Sequence, residues 1–256
     1  MTQKPLVTIV TPSYNQGEFV EATIKSVLNQ TYPNIEYIFV DGESSDNTMQ
    51  IVEKYKDKID SIIHEKDKGQ TDAINKGFKL ANGELVGWIN SDDILYPDCV
   101  ERIVDLYLNN LDGSIFYHSF IDLIDENGNI IKTYQHIIPN KLHLLKENYS
   151  VIQQGSFYNK EYVIKNNFLD VNNFYCMDLD LWLGLLNYGD IYCTKDKSHS
   201  GFRIYDGTKT STGQEKFLKN ILHVLLKHNA KYYYKTIYYK IYFYRLKVVV
   251  KKLLRK

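Results

Sequence analysis

Blocks of apolar residues along the first hundred positions switch between two periods. "PLVTIVTPSYN" opens with an uninterrupted, β-branched run from Leu6 to Val10, which predicts a strand buried on both faces that stops at Pro12. In "GEFVEATIKSVLNQ", Phe19, Val20, Ile24, Val27 and Leu28 fall on one helical face. "IEYIFVDG" predicts a second strand ending in Asp41, and "SSDNTMQIVEKY" offers Ser45 or Asp46 as the cap of another helix. A third, short strand is expected at "DSIIHEKD". "TDAINKGFKLA" predicts a helix closed by Asn-Gly, and "ELVGWIN" a fourth strand running into Asp92 and Asp93.

This βαβαβαβ rhythm predicts an α/β fold with a parallel sheet and helices on both faces. Ligands of such sheets sit beyond the carboxyl ends of the strands, where Tyr14, Asp41, Asp67 and Asp92 all fall. After a helix near Val100–Leu108 the pattern changes. "SIFYHSFIDLIDENGNIIKTYQ" predicts two strands joined around Asn127-Gly128. Residues 136–176 show no clear period. "MDLDLWLGLLNYG" predicts an amphipathic helix that starts in acids and stops at Gly189, and from Gly213 the chain reads as helical to its end.

A hydrophobic content of 44%, with 14 Gly and 5 Pro in 256 residues, excludes a disordered chain. Cys99, Cys176 and Cys193 are odd in number and never in CxxC spacing, which argues against a disulfide framework or zinc knuckle and suits a reducing cytoplasm. Lys4 and then Tyr14, Asn15 and Gln16 interrupt any apolar run behind Met1, so no signal peptide is expected. No run of apolar residues is long enough to span a membrane. The formal net charge of zero hides an asymmetry. Nine of the 31 basic residues lie in Ala230–Lys256 without a single acid, and the rest of the chain is net negative.

Two adjacent carboxylates, Asp92 and Asp93, repel each other unless a cation or a shared proton neutralises them. A helix N-cap pair is one reading. A divalent cation carrying phosphate oxygens is the other. Their company separates the two. "TPSYNQGEFVEATIKSVLNQTYPNIEYIFVDGESSDNT", "GQTDAINKGFKLANGELVGWINSDD" and "MDLDLWL" together resemble the inverting glycosyltransferases of family 2 with the GT-A fold. The likeness covers about residues 4–205 and is strongest over the first hundred.

The resemblance implies a nucleotide-sugar donor, UDP-linked by preference, with Mg²⁺ or Mn²⁺ and a saccharide acceptor that is possibly lipid-linked. Pro12 and Tyr14 match the segment around the donor base, Asp41 the acid bonded to base or ribose, and Asp72 a nucleotide-side acid. In "NSDD", Asp93 matches the direct metal ligand and Asp92 a ribose or metal-water contact. The general base of an inverting reaction matches Asp178, with Asp180 as fallback; a helix-capping pair is the alternative. Arg203 and Lys209 could close over diphosphate. Tyr205 stands where relatives carry a histidine, His199 could substitute for it, and Met177 stands where many relatives carry an acid. Glu43 replaces a small residue of the family's turn. Gln153 and Gln154 could donate to a sugar, whereas Trp88 and Trp182 read as core, and Lys68 and Lys76 as surface residues.

The expected organisation is a GT-A domain over 1–212, divided into a nucleotide-sugar half (1–110) and an acceptor half (111–212), followed by a basic, Tyr-rich helical segment over 213–256. That segment carries seven tyrosines in 231–244 and suits the cytoplasmic face of a membrane, or packing on the domain or in an oligomer. Charge alone would allow nucleic acid, but no recognition motif supports it. A protein glycosyltransferase with the same core, and a catalytically silent nucleotide-sugar-binding scaffold, are the other readings.

Overall fold

The computed structural model describes residues 4–206 and 214–230, with scattered positions between 239 and 247. Lys209 and most of the basic tail lie outside the described residues. The strands are β1 (Val7–Ser13), β2 (Ile35–Asp41), β3 (Ser61–His64), β4 (Leu85–Trp88), β5 (Ile94–Leu95), β6 (Gly113–Ile124), β7 (Ile130–Gln135), β8 (Phe157–Asn159) and β9 (Asp190–Arg203). They form one sheet in the order β3-β2-β1-β4-β8-β6-β9-β5, with β7 paired to β6. The first four strands are parallel, as their periodicity predicts. The second half makes the sheet mixed, because β8 runs antiparallel to both β4 and β6.

Between and beyond the strands lie helices α1 (Val20–Leu28), α2 (Thr48–Glu53), α3 (Gln70–Leu80), α4 (Cys99–Leu108), α5 (Lys141–Lys146), α6 (Lys160–Lys165), α7 (Met177–Leu185) and α8 (Gln214–Lys227). One face of the sheet buries Ile24, Val27, Ile51, Val52, Val100 and Ile103 of α1, α2 and α4 against Ile9 and Phe39. The other buries Ile74 and Phe78 of α3, Leu181 and Trp182 of α7, and Val224 and Leu225 of α8 against Val10, Val86 and Tyr117. The two covered faces explain why the early strands read as apolar runs and not as alternation.

Three expectations change. β1 does not stop at Pro12 but continues to Ser13. Val10 accepts from Ile89 on the β4 side, and Pro12, two residues on, points the same way past the last paired β4 residue, Trp88, so no ladder bond needs its missing N–H. Nor is α7 amphipathic: eight of its nine residues are buried, since it lies between the sheet and α8. It ends at Leu185, short of Gly189, so that β9 can begin at Asp190 and run beside β6 with several register shifts. The unpatterned stretch 136–176 contributes α5, α6 and the short β8.

Helix α3 approaches β1 closely. A Cβ on Gly77 would stand 2.5 Å from a methyl carbon of Val10, so the helix can sit at this height only with glycine there.

Candidate active site at the strand ends

β1 and β2 finish in register at Ser13 and Asp41, and β3 finishes beside them at His64. Asp41 is fully buried. Its Oδ2 accepts from the Ser44 backbone N–H (2.8 Å), the Ser44 hydroxyl bonds Oδ1 (2.5 Å), and His64 Nδ1 lies 2.7 Å from Oδ2. Asp41 therefore shapes the turn after β2, in which Glu43 takes a left-handed φ of 62°. Pro12 is buried, whereas Tyr14 is 61% exposed at the mouth of the same edge. The adjoining loop is tied across, with Asn15 N–H on Ser44 Oγ and Ser45 N–H on Asn15 Oδ1. Asp46 accepts from Gly17 and Thr48 N–H just before α2, although the N-cap itself is Asn47 and not the expected Ser45 or Asp46.

Beyond β4 the chain enters Asn90-Ser91-Asp92-Asp93. Asp93 is fully buried. Its Oδ2 accepts from the side-chain amides of Asn90 (3.0 Å) and Gln154 (3.0 Å), and its Oδ1 from the backbone N–H of Arg203 (2.9 Å). All three donors are neutral. Burial, and then the charge of Asp92, push the Asp93 carboxyl up to about 8, and the three bonds only partly oppose them. Asp92 is half-buried and accepts from the Tyr205 hydroxyl at 3.0 Å. Burial and that carboxylate raise Tyr205 to about 12. Gln16 and the Phe19 ring also hold the tyrosine.

The Arg203 side chain is buried and committed elsewhere. Its Nε donates to the Asp92 carbonyl (2.8 Å) and its Nη1 to the carbonyls of Asp125 (2.8 Å) and Glu126 (2.7 Å), with the guanidinium 4.8 Å from the Phe19 ring centre. It therefore buttresses the aspartate loop and the β6–β7 turn, in a place where a diphosphate clamp had been expected.

α3 and α7 bring the remaining acids to the same edge. Asp72, in the first turn of α3, accepts from the Lys68 backbone N–H and closes the Gly69 turn. Gln70, two residues earlier, donates to Asn90 at 2.6 Å. Thr71 bonds the Asn173 carbonyl (3.2 Å) and the sulfur of Met177 (2.9 Å), which joins the first turn of α3 to that of α7. Asp178 follows Met177, is half-buried, and accepts from the Leu179 N–H. Asp180 is buried and faces away from this junction's partners, with Oδ2 on Lys227 (2.8 Å) and Oδ1 on His228 (2.7 Å). Burial alone would raise its carboxyl, but those two bonds outweigh it and hold the group below the ordinary carboxylate range.

Residues 8–169 match the family described as Glycosyl transferase family 2. This chain belongs to that family. It is 31% identical over 218 residues to an uncharacterized glycosyltransferase of Rickettsia typhi, covering 82% of this chain and 68% of that protein. A putative teichuronic acid biosynthesis glycosyltransferase of Bacillus subtilis, TuaG, is 34% identical over 52% of this chain and 53% of its own length. Crystals of S. aureus TarS with UDP contain a chain that superposes with a TM-score of 0.68 at 19% identity, over 87% of this chain and 65% of that one. A Pyrobaculum calidifontis mannosyltransferase in complex with GDP-Man and Mn²⁺ superposes with a TM-score of 0.64 at 16% identity, over 90% of this chain and 64% of that one. These likenesses show the fold, the GT-A arrangement that the resemblance implies. The chain spans only 32% of the length of a Rickettsia felis relative.

Within this family-2 scaffold several side chains do something other than expected. His199 is held between two other carboxylates. It is fully buried, with Nδ1 on Asp98 (3.0 Å) and Nε2 on Asp196 (3.2 Å), and it stacks on His118. Gln153 and Gln154 are buried behind the aspartate loop, Gln153 donating to the Trp88 carbonyl and Gln154 to Asp93. Lys76 pairs with Glu65 at 2.8 Å, whereas Trp88 and Trp182 lie in the core as their apolar runs predict. Asn75 exchanges both bonds with the Leu169 backbone. Sequence reading missed His64, Asn90 and Gln154 as supports. Only His64 had a legible signal, because it ends the strand next to Asp41.

Proposed function

We propose that this chain is an inverting glycosyltransferase that moves a sugar from a nucleotide diphosphate sugar, UDP-linked by preference, to an acceptor hydroxyl of a cell-surface polysaccharide or lipid-linked oligosaccharide. The observation that carries this reading is the convergence at one sheet edge. Tyr14, Asp41 and Asp92 lie at or just beyond the ends of neighbouring parallel strands, and the Thr71–Met177 contact links Asp178's helix to that edge. TuaG's name points to teichuronic acid biosynthesis, and TarS has been crystallised with UDP-GlcNAc. The mannosyltransferase holds GDP-Man, so the base is left to experiment.

In this reading Pro12 and Tyr14 border the donor base, Asp41 orients base or ribose, and Asp72 stiffens the turn on the nucleotide side. Asp178 takes the proton of the acceptor hydroxyl as its oxygen attacks the anomeric carbon. The bond to the diphosphate oxygen breaks on the opposite face, and the electron pair leaves with the nucleoside diphosphate. The aspartate pair suits a hard cation, because Asp93 is pushed up by burial and by its neighbour while receiving only neutral donors. We assign the cation contact to Asp92, which is half-buried, in place of Asp93, which is fully buried. Mg²⁺ or Mn²⁺ held there would neutralise charge on the departing diphosphate.

Calorimetric titration with UDP-, GDP- and dTDP-sugars, with Mn²⁺ and then EDTA, tests the reading. One nucleotide is expected to bind only with the metal. Binding indifferent to EDTA would remove the cation, and no binding at all would favour a silent scaffold.

We also place the enzyme peripherally on the inner face of the cell membrane through its basic tail. Support comes from the tail's composition and from Tyr239, Tyr242, Phe243 and Leu246, which are exposed. No helix among the described residues is long and apolar enough to cross a membrane. Failure to co-sediment with anionic liposomes at low salt would overturn that placement.

A further inference from the structure

Helix α8 follows the strand-end machinery in the chain and lies beyond the residues that match the family, yet it grips the turn that carries Asp178 at four points. Phe217 packs edge-on to Tyr175, with ring centres 5.0 Å apart. The N–H of Cys176, the residue that caps α7, is shared between the side-chain oxygens of Asn173 and Asn220, each at 3.1 Å. Lys227 and His228 take one oxygen each of Asp180, and Lys227 also reaches Asp170 at 3.0 Å.

The end of α8 is built to present those last two groups. Asn229 adopts a left-handed φ of 64°, and the N–H groups of Asn229 and Ala230 turn back to the carbonyls of Leu226 and Leu225. This closes the helix and leaves Lys227 and His228 at its negative end, the favoured place for cations. Ala230 is fully buried, so the closure is packed in place.

We propose that α8 is a positioning element of the active site, in which Asn220, Lys227 and His228 fix the first turn of α7 and thereby aim the Asp178 carboxylate at the acceptor hydroxyl. Asp178 and Asp180 share that turn, so a turn held at Cys176 on one side and at Asp180 on the other leaves the intervening carboxylate little freedom to swing. Proton transfer needs the base within hydrogen-bond reach of the hydroxyl, so a small rotation of this turn is costly to turnover and nearly silent to donor binding on the far strands. The inference rests on the assignment of Asp178 as the base, and the experiment separates the two.

Release of UDP from UDP-GlcNAc, or of GDP from GDP-mannose, would be followed with Mn²⁺ present and water or an added saccharide as acceptor. The chains compared are wild type, Asp178→Asn, Asn220→Ala, His228→Ala and the conservative pair Asn220→Asp and His228→Gln. Asn220→Ala and His228→Ala are expected to lower kcat on the order of 10- to 100-fold with donor KM unchanged. Asn220→Asp keeps the acceptor and His228→Gln keeps the donor, and both are expected to recover most of the loss. If Asp178→Asn is inactive while the α8 variants keep wild-type kcat, the positioning role is wrong and the base assignment stands. If the α8 variants lose kcat and donor affinity together, or the conservative variants rescue nothing, α8 is merely structural. Activity surviving in Asp178→Asn, or no nucleotide release by wild type, overturns the base reading and this inference with it.

Discussion

Two acidic pairs, Asp92–Asp93 after β4 and Asp178–Asp180 in the first turn of α7, each have one member buried and the other half-buried. The buried members are satisfied in opposite ways. Asp93 receives neutral N–H groups from Asn90, Gln154 and the Arg203 backbone, so burial and Asp92 prevail and its carboxyl rises. Asp180 receives Lys227 and His228, and its carboxyl falls. A pair completed from within is anchored. A buried member given only neutral donors has its carboxyl raised, and a cation from outside can lower the energy of its ionised form. In the proposed function, the same short acidic signal serves a cation at one site and a base at the other.

The comparison is tested most severely by Asp178→Asn. It is expected to lower kcat by about 10²- to 10⁴-fold, the usual worth of a general base, with calorimetric donor affinity unchanged. Asp180→Asn should instead cost stability, about 2 kcal/mol in a urea melt. That lies below the 3–5 kcal/mol typical of a broken, fully buried pair, because Lys227 retains contact with water.

The pairs should also bend the pH dependence of stability in opposite directions. Asp93 binds its proton more tightly in the folded than in the unfolded chain. Without divalent cation, its contribution is therefore complete at acid pH and is lost as pH rises from the ordinary carboxylate range toward about 8. Asp180, with a depressed folded value, contributes at neutral pH and loses that contribution as pH falls through its folded value. Urea midpoints across pH should lose the fall between the ordinary carboxylate range and about pH 8 in Asp93→Asn, and the acid slope in Asp180→Asn. The smallest effect belongs to Tyr205→Phe. Removing its hydroxyl from Asp92 should weaken Mn²⁺-dependent nucleotide binding by about 1 kcal/mol, roughly fivefold.

The first four strands and their terminal acids were legible because a parallel strand covered on both faces leaves an unbroken apolar run, and a carboxylate closing such a run is conspicuous. The division of labour within each acidic pair was not. Asp93 is filled by Gln154, 61 residues away, and by Arg203, 110 away, and neither segment has a periodic signal linking it to the aspartates. α7 misled in a different way, since its acids suggested an exposed face although α8 covers Asp180. Met177 departs from the acid expected there, and its sulfur instead receives the Thr71 hydroxyl that joins α7 to α3.

The central claim is that an external cation meets Asp92 while Asp93 holds the loop from behind. Calorimetric titration of UDP-GlcNAc into wild type, Asp92→Asn and Asp93→Asn, with and without Mn²⁺, tests it most directly, with GDP-mannose as the alternative donor. The account predicts that binding requires Mn²⁺, disappears in Asp92→Asn, and persists within about tenfold in folded Asp93→Asn. Metal-dependent binding that survives in Asp92→Asn but is lost in folded Asp93→Asn would contradict it.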